Sequence, residues 1–114
     1  MHGYQIKALW AKLFEIHELI RAENWVQLKR IASITDETIE EAKFEIGEYS
    51  GKITECPFEE FTDAVILGDW NGFEIGCMAQ FWFDGEESDL SMECTAEFNG
   101  REIRKITIEQ VHVF

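Results

Sequence analysis

From Tyr4 to Arg21 apolar residues recur with the period of a helix. Ile6, Leu9, Trp10, Leu13, Ile16, His17 and Ile20 form one broad stripe, and Gln5, Lys7, Lys12, Glu15, Glu18 and Arg21 fall mostly on other faces. This spacing predicts a core-facing amphipathic helix. Asn24 and Gln27 form a capping pair, each side chain able to satisfy a free backbone N–H, and Trp25, Leu28 and Ile31 continue a short second helix. Thr35 or Asp36 caps a third helix that turns Ile39, Ala42, Ile46 and Tyr49 inward and ends near Gly51.

Beyond Pro57 the period changes from 3.6 to 2. Asp63 to Asp69 reads as a short strand and Asn71-Gly72 as the turn after it. On the longer run that follows, Phe73, Ile75, Cys77, Ala79, Phe81 and Phe83 alternate with Glu74, Gly76, Met78, Gln80 and Trp82. In the next strand Leu90, Met92, Cys94, Ala96 and Phe98 alternate with Asp89, Ser91, Glu93, Thr95 and Glu97, so one face is core and the other wet. Asn99-Gly100 is the strongest hairpin signal, and Arg101 to Phe114 forms the last strand. There Ile103, Ile106 and Ile108 share a face only if one extra residue lies between them, which predicts a β-bulge near Arg104 or Lys105. The predicted fold is α+β: three N-terminal helices packed on a curved antiparallel β-meander of about four strands, residues 1–114 as a single domain. That order of parts is compatible with the cone-shaped nuclear-transport-factor-like fold, an analogy that carries no function.

Composition adds that the chain folds: 46% hydrophobic and 13% aromatic content is far from that of a disordered chain. No apolar run approaches the length of a membrane span and no leader pattern is present, so a soluble, cytoplasmic protein is expected. Cys56, Cys77 and Cys94 lack the C-x-x-C spacing of a zinc site and are read as free, buried thiols. The formal net charge is −13, and it is unevenly spread. Between Ile53 and Gly100 there is no Lys, Arg or His but there are twelve carboxylates. Phosphate backbones are repelled by such a surface, which excludes direct nucleic-acid binding, whereas a basic protein is attracted to it.

The run Tyr49-Ser50-Gly51-Lys52-Ile53-Thr54, then Pro57 with Glu59-Glu60-Phe61, then Gly85-Glu86-Glu87-Ser88-Asp89-Leu90, and the closing His112-Val113-Phe114 resemble a small bacterial family known as a domain of unknown function. The resemblance covers the chain from about residue 5 onward. It implies a fold and no established activity.

Candidate chemistry is sparse. The acids of Phe83 to Cys94 lack the fixed oxygen-ligand spacing of a calcium loop, so no metal and no cofactor is expected. They read as a solvated turn and polar strand face, with Ser88-Asp89 capping the turn through side-chain to backbone hydrogen bonds. Nothing in the spacing selects a carboxylate pair such as Asp69 beside Trp70, or Glu74 with Trp82, for acid–base work. His2 lies at a frayed terminus, His17 reads as a core histidine, and His112 stands without a nucleophile or a second histidine at ligand spacing. Met78 and Trp82 on the wetter sheet face suggest partial cover, which a homodimer through the sheet would supply.

Two function classes remain. One is an interaction protein, an inhibitor or immunity protein whose acidic face of Asp84, Glu86, Glu87, Asp89, Glu93 and Glu97 docks a basic partner. The other is a pocket protein that binds or isomerises a small hydrophobic ligand, with Trp10, Asp69, Trp82 and His112 as candidate lining.

Overall fold

The computed structural model describes residues 1–59 and 65–113. Three helices, α1 (Gly3–Arg21), α2 (Trp25–Ile31) and α3 (Asp36–Glu48), precede the strands β1 (Ile53–Thr54), β2 (Val65–Leu67), β3 (Glu74–Phe83), β4 (Glu86–Asn99) and β5 (Glu102–Val113). The expected strand start at Asp63, the resemblance residues Glu60 and Phe61, and the expected strand end at Phe114 lie outside the described residues.

The caps act as the sequence implies. Asn24 Oδ1 accepts from Gln27 N at 3.3 Å, and Thr35 Oγ1 accepts from Thr38 N at 3.1 Å. On α1 the inward residues are Gln5, Leu9, Leu13, Ile16, His17 and Ile20, while Ile6 and Trp10 are only half-buried. Gln5 is buried although polar because both ends of its amide are used. Its Oε1 accepts from His2 N at 2.9 Å and its Nε2 donates to Gly100 O at 2.8 Å, tying the start of α1 to the β4–β5 turn. Glu23, just beyond α1, adopts a left-handed φ of 57° while its N–H donates to Ile20 O.

The sheet is antiparallel, with β1 and β2 both on one edge of β3, followed by β4 and β5. Ile75, Cys77, Ala79, Phe81 and Phe83 of β3 face the same side as Leu90, Met92, Cys94, Ala96 and Phe98 of β4, and all are buried. Residues from all three helices join this one cluster, among them Leu13, Leu28 and Ala42, so the helices occupy a single face of the sheet. Phe73 precedes β3 and is exposed, a departure from the expected alternation.

Irregularities in register follow from where apolar residues must point. Glu97 pairs with Lys105 and Phe98 with Ile103, which leaves Arg104 as the extra residue and confirms the bulge there. Glu93 pairs with Gln110 and Cys94 with Ile108, so Glu109 is a second extra residue, and it lets Val111 turn inward with Ile106 and Ile108. The β3–β4 turn has two central residues in the left-handed region, Asp84 (φ 53°) and Gly85 (φ 77°), the backbone of a tight two-residue hairpin. At the β4–β5 turn Asn99 pairs with Glu102, so the central residues are Gly100 and Arg101, one position later than the Asn-Gly signal implies.

The free edge of β5 is closed. Ser33 N donates to Ile106 O at 2.7 Å, Ile108 N donates to Ser33 O at 2.9 Å, and Val111 N donates to Glu41 Oε1 at 2.8 Å. No helix is long and apolar enough to cross a membrane among the described residues.

Candidate functional site

The acidic hairpin and the segment after α3 are far apart in sequence and interlock in the structure. Tyr49 stacks on Phe83 with ring centroids 4.3 Å apart, and its hydroxyl donates to Asp89 Oδ1 at 2.5 Å. Lys52 N donates to Asp84 Oδ1 at 3.0 Å, Asp84 N donates to Lys52 O at 2.8 Å, and Gly85 N donates to Thr54 Oγ1 at 2.9 Å. Gly51 stands so close to the turn that a Cβ there would lie 2.4 Å from Asp84 Oδ2, and its φ of 104° is in the region that favours glycine. These contacts join Tyr49 to Thr54 with Asp84 to Asp89, two segments about 30 to 40 residues apart in sequence. Tyr49, Lys52 and Thr54 as partners of the hairpin are not foreseen by periodicity or spacing, which carry no information about contacts between distant polar residues.

The six acids therefore divide by surroundings. Asp84 and Asp89 serve the fold through the hydrogen bonds above. Asp89 takes a tyrosine hydroxyl rather than capping its own turn. Ser88 does the local work, donating through Oγ to Phe81 O at 2.7 Å and accepting from Leu90 N at 3.2 Å. Those bonds hold a widened stretch in which Ser88, Asp89 and Leu90 of β4 stand opposite Phe81 alone. Glu86 and Glu87 are exposed at the hairpin tip.

Glu93 and Glu97 lie on the sheet face away from the helices. Glu93 shares a row with Met78 and Gln110 and accepts from Gln110 Nε2 at 3.2 Å. Glu97 shares a row with Glu74 and Lys105 and meets the Arg104 guanidinium at 3.6 Å. Trp82 pairs with Glu87, so its half-buried indole belongs to this face as well.

The four candidate pocket residues do not come together at one end. Trp10 is on α1, on the helical side of the sheet. His112 lies in a row with Ser91 and Gln80 on the other side, and Trp82 is two residues beyond Gln80 on β3. Asp69 is exposed and follows Leu67, which pairs with Gly76. Gly76 is four residues from Gln80, about 13 Å along the strand.

His17 is wholly buried and stacks against Phe81 at 4.9 Å. Burial pushes its imidazole down to about 4, against an upward pull from Glu18, so it is neutral at pH 7. Cys77 and Cys94 face each other across β3 and β4 inside the core. Burial pushes the Cys77 thiol up to about 12 and raises that of Cys94 as well, the reverse of what a nucleophilic cysteine needs. Among the described residues no three His, Cys, Asp or Glu side chains gather as a metal site would require.

The fold and these contacts define a strongly acidic α+β domain with one helix-covered sheet face and one carboxylate-bearing face. A family model described as a domain of unknown function (DUF7668) matches residues 16–114, and the chain belongs to that family. No curated protein matches the chain, and no solved structure does.

Proposed function

We propose that this chain is a cytoplasmic interaction module that captures a basic protein on its outer sheet face, as an inhibitor or immunity protein does for a nucleic-acid-binding toxin. One observation carries the reading. The face that the helices leave uncovered carries Glu74, Glu87, Glu93 and Glu97 in rows along β3 and β4, with the half-buried Met78 beside Glu93 and the half-buried Trp82 beside Glu87. Carboxylates at the rim accelerate encounter with a cationic surface, and an indole and a thioether supply apolar area that excludes water at the centre. A second copy of the chain is a poorer occupant, because like carboxylates would face one another. The pocket reading has less support, since Trp10 lies on the helical side of the sheet, His112 on the other side, and Asp69 is exposed beyond the end of β2.

Affinity capture from the native lysate, washed at low and then high salt, tests the proposal. A basic protein that releases as salt rises is the expected result. The triple variant Glu86→Lys, Glu87→Lys, Glu93→Lys spares Asp84 and Asp89, so it keeps the fold and is expected to abolish capture. Undiminished capture by a folded triple variant would refute the acidic-face reading.

A further inference from the structure

Away from the sheet face, where α1 ends, α2 begins, and α3 passes β1, there is a cleft of about 340 Å³. Its apolar wall is Trp25, Ile46 and Ile53, and its charged groups are Arg21, Lys43 and Lys52, with Glu23 as the one carboxylate. Three of the ten Lys and Arg residues of a chain with net charge −13 thus converge on one concavity. Two of them are already engaged. Arg21 meets Glu18 at 2.5 Å, and Lys43 meets Glu40 at 3.4 Å while standing 5.8 Å from the centre of the Trp25 ring. Among the described residues no carboxylate comes within ion-pair distance of Lys52 Nζ.

One further feature favours occupancy by something other than this protein's own side chains. Gly47 lines the cleft from the last turn of α3, on the same helix face as Lys43. It has no left-handed φ to explain it, and a Cβ there would meet nothing within 4 Å. Packing does not require glycine at that position, although glycine weakens a helix relative to alanine. Glu23, at the left-handed terminus of α1, works against an anion, because its carboxylate and the negative end of the helix lie at the same cleft, and the three cations there have to outweigh them.

We infer that the cleft binds a small aromatic carboxylate. The carboxylate pairs with Lys52 and Lys43, and the ring lies against Trp25, Ile46 and Ile53. The volume suits a ligand at the small end of the usual range. With Arg21 and Lys43 partly neutralised, the cleft calls for a monoanion rather than a polyphosphate. The site is independent of the sheet face and stands or falls separately from it.

Titration of the ¹⁵N-labelled full chain with 1-naphthoate, with 1-naphthylmethanol as the uncharged isostere, tests the inference. Saturable shifts at the Trp25 indole N–H and at the Gly47 and Lys52 amides are expected, with the alcohol about tenfold weaker or more. Lys52→Gln with Lys43→Gln is expected to weaken naphthoate by about tenfold. Gly47→Leu, which leaves every charge in place, is expected to block both probes. Equal affinity for acid and alcohol, shifts confined to other residues, or unaltered binding by a folded Gly47→Leu chain would each overturn it.

Discussion

Gly51 and His17 are the residues whose chemistry is most constrained. At Gly51 a side chain meets two penalties at once, a left-handed φ and an overlap with the Asp84 carboxylate. Gly51→Ala is expected to cost about 2 kcal/mol or more, read from the urea midpoint. His17 makes stability depend on pH. Its folded value of about 4 lies below the ordinary 6.5, so between those values the unfolded chain binds more protons than the native one. Stability that is present above pH 6.5 is lost as the pH falls toward 4, by about 3 kcal/mol from this group. Parallel urea titrations of the native protein and His17→Leu isolate the effect from the carboxylates. The difference between them should change by that amount over pH 6.5 to 4, and a constant difference would mean His17 charges normally in the fold.

At the scale of elements, the junction between the Tyr49–Thr54 segment and the β3–β4 hairpin joins distant parts of the chain through several hydrogen bonds and one ring stack. Tyr49→Phe removes the hydroxyl that bridges to Asp89 while keeping the stack on Phe83. About 1 kcal/mol of stability should go with it, together with faster hydrogen exchange at Asp89 and Gly85. Ser88→Ala should loosen the widened stretch of β4 by a similar amount. These parts were the least legible in the sequence. Helices, caps and strand alternation follow from periodicity, and the Arg104 bulge follows from the spacing of Ile103, Ile106 and Ile108. The bulge at Glu109 was readable from Val111 by the same rule. Residues Glu86 to Asp89 are all polar, however, so the extra residues there break no apolar pattern and leave no signal. A tyrosine hydroxyl reaching a carboxylate 40 residues away leaves none either. The acidic face was legible as composition, yet its division into Asp84 and Asp89, which are exposed but tied down by hydrogen bonds, and Glu86 and Glu87, which are exposed beside them, required coordinates.

For the whole molecule, charge governs behaviour more than any single contact. Net −13 on 114 residues means self-repulsion in the compact state, concentrated after Ile53. Raising NaCl from 20 to 200 mM shortens the range of that repulsion to about 7 Å. The melting temperature should rise by about 4 °C, in contrast to a protein held by favourable surface ion pairs. A fall with added salt would show that ion pairs, such as Lys12 with Glu15 and Arg104 with Glu97 among the described residues, outweigh the repulsion.

The closure of β5 by Ser33 and Glu41 bears on how this molecule can be recognised at all. An open strand offers any extended peptide a ladder of unspent amide groups, and recognition through such a ladder is nearly blind to side chains. Here the outward-facing backbone at Ile106, Ile108 and Val111 already has partners. A visitor along that border would have to displace the α2–α3 connection first. Selectivity at this end of the molecule must then be written in side chains, and the same arrangement denies neighbouring copies a template for endless strand-by-strand growth.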